Sequence, residues 1–292
     1  MWRLNLPSNR MTMTHIETAL TLLDGTQKYP VTVIQKRAIK LLYQAYDNNK
    51  GQHGTNLDAT HLDPKLLIAL EKGYNEIQIN GRLTKLREKL LLAAKRCPCC
   101  GIGEAVTLDH HLPKDTYQVF SIYVRNLVAY CNTCNNKKRS VTGTDPKKRF
   151  IHPYYCPLPE LSQFLFAKVS LRGRSLKFDL YIKPVAGLKI QMISQMEFMM
   201  NQVDLKNRLM KELNVYFTSI ATSIKSDFER AGKTAVKKSL EENAKHQAKN
   251  FTLNHWRHAV LQALSEHNGF CDGGFYEPWA LDRPIVMSVT GS

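Results

Sequence analysis

Long apolar runs are missing from this sequence. The longest, such as Leu66-Leu67-Ile68-Ala69-Leu70, fall far short of the roughly 20 residues that a membrane-crossing helix takes, which excludes a helical membrane anchor. The opening residues Met1-Trp2-Arg3-Leu4-Asn5-Leu6-Pro7 lack the apolar core of an export signal, so the expected location is cytoplasmic. Acidic residues are also in short supply. The chain has 25 Asp and Glu against 41 Lys and Arg, which leaves a net charge of +16 and a sequence pI near 9.5. Such a surplus is costly in self-repulsion unless a polyanion screens it, and nucleic acid is the default partner. Cysteine is scarce outside one segment, since only Cys156 and Cys271 lie beyond positions 97–134. There is no internal repeat and no low-complexity linker. Gly232-Lys233-Thr234 resembles the tail of a phosphate loop, but Asp227 stands where that loop needs its first glycine, which excludes an ATP site of that kind.

What remains is an ordinary globular balance, 43% hydrophobic and 23% charged. Residues 31–47 read as a helix with Ile34, Ala38, Leu41, Leu42 and Ala45 on one stripe. A second helix follows Asp63-Pro64, since proline suits a first helical turn. Residues 82–96 form a third, with Leu83, Leu86, Leu90 and Ala93 as its apolar face and Arg82, Lys85, Arg87 and Lys89 on the solvated one. Residues 164–182 alternate as a β-hairpin, with Ala167, Val169 and Leu171 facing Leu176, Phe178, Leu180 and Ile182 across a turn at 172–175. From about Ile190 the chain is mostly helical. Met192, Met196, Met199, Met200 and Met210 cluster there as adaptable core or an interface, and the last helix shows Leu253, Trp256, Val260 and Leu264 on one side. The expected fold is mainly α with small β elements (α+β). It is divided into an N-terminal helical region (1–81), a metal-stapled segment (82–150), and a β-hairpin with a C-terminal helical region (151–292).

Cys97 and Cys100 make one C-x-x-C pair, and Cys131 and Cys134 make a second. In a reducing compartment paired spacing favours metal over disulfides. Two such turns complete a tetrahedral four-thiolate site for a structural zinc ion with no open position for water. Thirty residues separate the pairs, more than the about 15–20 of simple zinc ribbons, so the closed loop is large enough to hold a site of its own. Cys99 is out of register and reads as a bystander.

Inside the loop lie Leu108-Asp109-His110-His111-Leu112-Pro113-Lys114 and Asn126-Leu127-Val128, and Asn135 follows the second pair directly. Two short strands and a helix, tied at their ends by zinc, would bring Asp109, His110 and Asn135 together. The run resembles the HNH endonuclease superfamily, whose ββα-metal finger carries Asp-His-x-x-Pro, then Asn-Leu, then Cys-x-x-Cys followed by His or Asn. The resemblance covers about 45 residues. Its fuller wording is similar to HNH subunits of bacterial anti-phage systems such as Septu and some retrons, and His152-Pro153-Tyr154 resembles that group more faintly.

The resemblance implies a hydrolase cutting phosphodiester bonds, DNA first among its substrates. Asp109 and Asn135 would hold a divalent ion. An asparagine in the third position supplies an oxygen and favours Mg2+ or Mn2+ over imidazole-seeking metals. His110 would be the general base and Asn126 its positioning residue. Strict strand alternation favours His111 as the base instead, whereas the family pattern places the base three residues before Pro113, at His110. Lys137, Lys138 and Arg139 could touch flanking phosphates. The resemblance also implies an ATPase partner. The competing reading is a zinc-dependent nucleic-acid-binding module without catalysis.

Overall fold

The computed structural model describes residues 3–141, 145–172 and 175–276. The chain forms two compact units, Arg3–Pro157 and the residues from Leu158 onward. The N-terminal helices and the cysteine segment both lie in the first of these, which ends at Pro157.

In the first unit, α1 (Thr12–Leu20), α2 (Val33–Asn48), α3 (Pro64–Gly73) and α4 (Thr84–Ala94) precede β1 (Thr107–His110), β2 (Leu127–Tyr130) and α5 (Asn132–Lys138). Asp63 opens α3 as read from sequence: its carboxylate accepts from the Lys65 amide at 2.8 Å, and Pro64 takes the first turn, where no N–H is needed. The start of α2 is fixed by a capping box between Thr32 and Gln35. Its buried face, however, is Ile39, Leu42, Tyr43 and Tyr46, while Ile34 and Leu41 are 82% and 59% exposed. The tyrosines turn the helix. The Tyr43 ring stacks on Tyr123 at 4.1 Å and Tyr46 meets Phe120 at 5.0 Å, and a large ring whose hydroxyl finds a partner outweighs an aliphatic side chain in burial. Arg87 of α4 is a second correction. It is buried rather than solvated, because its guanidinium donates to the Val106 carbonyl at 2.8 Å and so ties α4 to the approach to β1.

The two strands pair antiparallel, Asp109 opposite Val128 and His110 opposite Leu127. All four residues of β2 are buried, as a short continuous apolar run requires.

The second unit holds β3 (Leu165–Arg172), β4 (Ser175–Ile182), α6 (Ile190–Gln202), α7 (Leu205–Asn250) and α8 (Trp256–Glu266). The hairpin has the register that alternation predicts, Ala167 with Leu180, Val169 with Phe178 and Leu171 with Leu176; Gly173 and Arg174 of its turn lie outside the described residues. Met192, Met196, Met199 and Met200 are buried, the core alternative rather than a docking face. Helix α7 is broken at Ala231–Gly232, and Gly232 takes φ +64° and ψ −158°, a conformation open essentially to glycine alone. The break explains the glycine before Lys233-Thr234 without any phosphate. The architecture is mainly α with small antiparallel sheets. Among the described residues no helix is long and apolar enough to cross a membrane.

Candidate metal centre and adjoining polar site

Cys97 and Cys100 sit in the turn that follows α4, Cys131 caps the N-terminus of α5, and Cys134 lies in its first turn. All four are buried, with their sulfurs within 4.8 Å of one another. Cys100 Sγ and Cys131 Sγ are 3.7 Å apart, against an edge of about 3.8 Å for a tetrahedron built on metal–sulfur bonds of about 2.3 Å. The Ile102 amide points at Cys100 Sγ and the Cys134 amide at Cys131 Sγ, both at 3.4 Å. Donors of this kind stabilise thiolate charge. This cluster could hold a metal ion such as zinc. Cys99 is buried beside it, outside the four.

Asp109 and His110 are consecutive on β1, and their environments differ. His110 is buried, its ring against Tyr74 at 4.3 Å. Its Nε2 lies 2.9 Å from the Ser121 carbonyl. A carbonyl can only accept, so Nε2 carries the proton and Nδ1 is left as the acceptor. Burial pushes the His110 pKa down to about 4, which keeps the ring neutral at neutral pH.

The Asp109 side chain is 18% exposed and lies 2.9 Å from Lys138 Nζ. Burial raises its pKa, and the neighbouring ammonium only partly offsets that. The ion pair is close, and it is Asp109 Oδ2 that faces the Lys138 ammonium. Asn135 is half-buried on α5, three residues before Lys138. That spacing puts both on one helix face, the face that meets β1 through Lys138.

Lys138 itself corrects the sequence reading. Its side chain is 1% exposed, and Nζ donates to the His110 carbonyl at 2.8 Å as well as facing Asp109. It is the internal counter-ion of the site and no surface contact for a phosphate. Lys137 is half-buried and Arg139 is exposed.

Asn126 ends a short turn, Val124–Asn126, before β2 and is fully buried. Its amide clips Leu112 from both sides. Oδ1 accepts from the Leu112 amide at 2.8 Å, and Nδ2 donates to the Leu112 carbonyl at 3.0 Å and the Phe120 carbonyl at 3.2 Å. The Asn126 carbonyl in turn accepts from the His111 amide at 2.8 Å. His111 packs against His152, ring centroids 4.1 Å apart, within the buried layer beneath the site.

Sequence reasoning missed Tyr74, Ser121 and Tyr46, and named Lys138 and His152 without these roles. Lys138 sat in a run of three basic residues that reads as an exposed phosphate contact, and Ser121 contributes only a backbone carbonyl. Tyr74 and Tyr46 reach the site from turns and helices more than thirty residues away, and no local spacing marks them. Only His152 carried a signal, as part of the His152-Pro153-Tyr154 wording.

Protein ea31 of Escherichia phage lambda is 36% identical to this chain over 110 residues, a match covering 33% of this chain and 37% of that protein. The chain thus spans little more than a third of that relative's length. No family model matches the chain, and no solved structure matches it.

Proposed function

We propose that this chain is a metal-dependent nuclease of the HNH type, acting on DNA, with a structural zinc ion held by Cys97, Cys100, Cys131 and Cys134. One observation carries the reading: on a single strand, His110 is held neutral with Nδ1 as its acceptor directly beside the carboxylate of Asp109. Proton abstraction from water needs the first and cation binding the second.

In this reading His110 takes the proton of the attacking water at Nδ1, and the Ser121 carbonyl stabilises the imidazolium by accepting from Nε2. Asp109 and Asn135 supply oxygen donors for Mg2+ or Mn2+. When bound there, the ion supplies positive charge against the phosphoryl oxygen and the departing 3′ oxygen. Asn126 holds the chain beyond His110 in place through Leu112. The charge balance supports the same partner: Arg3–Pro157 carries 23 Lys and Arg against 12 Asp and Glu, a surplus of 11 out of the chain's 16. Lys137 and Arg139 remain the flanking phosphate contacts. The anti-phage role and the ATPase partner rest on the motif wording alone.

A nucleic-acid-binding module without catalysis is the second reading, and one observation favours it: Asp109 already has a cation in Lys138. Supercoiled plasmid incubated with purified protein, with and without Mg2+, separates the two. The nuclease reading expects Mg2+-dependent nicking that His110→Ala abolishes while zinc content stays unchanged. DNA retention without nicking supports the module, and undiminished cutting by His110→Ala places the base elsewhere.

A further inference from the structure

Three candidates stand outside the chemistry above: the exposed apolar residues Val33, Ile34 and Leu41 of α2, the spare thiol Cys99, and the buried network behind Asn126. Nothing in the structure says what would cover the first, and a lone cysteine beside a metal cluster is not a site. The third carries an inference.

Tyr46, on the last turn of α2, is completely buried. Its hydroxyl lies 2.9 Å from Asn126 Oδ1 and 3.0 Å from His152 Nε2. The direction of each bond follows from its neighbours. Asn126 Nδ2 is used up on the Leu112 and Phe120 carbonyls, so the atom facing Tyr46 is an oxygen, and the phenol donates to it at 2.9 Å rather than to the Arg125 carbonyl at 3.4 Å. His152 Nδ1 accepts from the Tyr154 amide at 3.3 Å, so Nε2 bears the proton and donates to the Tyr46 hydroxyl and to the Arg125 carbonyl, each at 3.0 Å. The result is a one-way chain from His152 through Tyr46 to Asn126 and the Leu112 backbone, two residues beyond His110. Burial holds the phenol protonated and the His152 ring neutral, so every link stays populated at neutral pH. The His152 ring is tightly packed as well. Gly51, at φ +70°, presses on the ring, and a Cβ there would lie 2.2 Å from His152 Cδ2.

We infer that Tyr46, backed by His152, is a positioning residue for the His110 loop, so that α2 is part of the working site although it lies some eighty residues from Asn126 in the chain. The catalytic half of this inference rests on the nuclease reading; the positioning half does not.

Tyr46→Phe keeps the ring and removes only the hydroxyl. Tyr43→Phe is the matched control: its hydroxyl donates to the Val119 carbonyl at 2.9 Å from the same helix and the same aromatic cluster, with no bond to Asn126. Amide hydrogen exchange at His111 and Leu112 and plasmid nicking kinetics are measured on the full zinc-loaded chain. Expected for Tyr46→Phe is an exchange rate at Leu112 raised about tenfold, the loss of roughly one neutral hydrogen bond, and kcat lowered about tenfold at unchanged KM. Tyr43→Phe should leave both near wild type, and His152→Gln, which keeps a side-chain N–H donor, should impair less than His152→Leu. Equal effects from the two tyrosine variants, or no change at Leu112 in Tyr46→Phe, overturn the inference. If the wild type fails to nick but Leu112 still loosens selectively in Tyr46→Phe, the positioning role stands and the nuclease reading falls.

Discussion

Replacing Lys138 by methionine keeps most of the stem's volume and removes the charge. In the native protein the ammonium is 1% exposed, donates to the His110 carbonyl and faces Asp109 at 2.9 Å. Deleting one member of a buried ion pair costs about 3–5 kcal/mol, mostly because the other charge is stranded. Asp109 is 18% exposed and can take up a proton, which places the expected cost near the lower end, about 3 kcal/mol at pH 7. That is a large share of a total stability of about 5–15 kcal/mol. Asp109→Asn strands the ammonium in turn, so the double variant should be less damaged than the sum of the singles by about 2 kcal/mol, a coupling typical of contacting residues. Urea denaturation of zinc-loaded, magnesium-free protein reads all four stabilities. The pH dependence has a definite sign. Burial already raises the Asp109 pKa against the pull of Lys138, and losing that pull raises it further. A carboxyl raised in the folded state binds more protons there than in the unfolded chain, so stability falls as pH rises through the folded value. The penalty of Lys138→Met should therefore shrink from pH 7 to pH 5. A penalty under about 1 kcal/mol, or a coupling of zero, would refute the counter-ion role and return Lys138 to the surface as a phosphate contact.

Two further outcomes are expected. Stripping the metal with a chelator should unfold Arg3–Pro157 and leave α6–α8 helical, because structural zinc contributes about 10–16 kcal/mol against a stability of about 5–15 kcal/mol; limited proteolysis checks this, and a first unit still protected after metal loss would count against it. Glu76, hydrogen-bonded to Arg82 and paired with Lys28 at 2.6 Å, has its pKa pushed down to about 2. Its contribution is therefore present above the ordinary carboxylate range and lost as pH falls from about 4.5 toward 2. Glu76→Gln should flatten that acid limb by on the order of 1 kcal/mol, since its partners Lys28 and Arg82 reach solvent; identical acid titrations of the two proteins would remove Glu76 from the account.

The cysteine site is legible in the sequence because its geometry is local. Two residues between cysteines set each half, and a helix start delivers the second. The hairpin of β3 and β4 is legible for the same reason, since alternation fixes register once a turn is placed. What fails is anything decided by a distant partner. Arg87 and Lys138 stand in charged stretches that read as solvated, and both are buried because backbone carbonyls of the β1 segment, at Val106 and His110, were waiting for donors. The α2 stripe fails because aliphatic spacing says nothing of Tyr43 and Tyr46, whose partners lie some eighty residues on.

That last failure explains why the cysteine segment does not stand apart from the N-terminal helices. Two paired strands of four residues each are too small to be stable alone, and a metal tie at their ends closes the loop without covering it. Every residue of β2 is buried, so its sheet needs cover on both faces. Part of that cover is α4, which packs on both strands; beside it stands the layer of Tyr43, Tyr46, Phe120 and Tyr123, joined by Asp47, which accepts from Tyr123 at 2.7 Å and pairs with Arg125 just before Asn126. From that layer the hydroxyl of Tyr46 reaches Asn126 and its polar clip on Leu112. Packing and positioning thus meet in one residue, which ties α2 to the segment around Asn126.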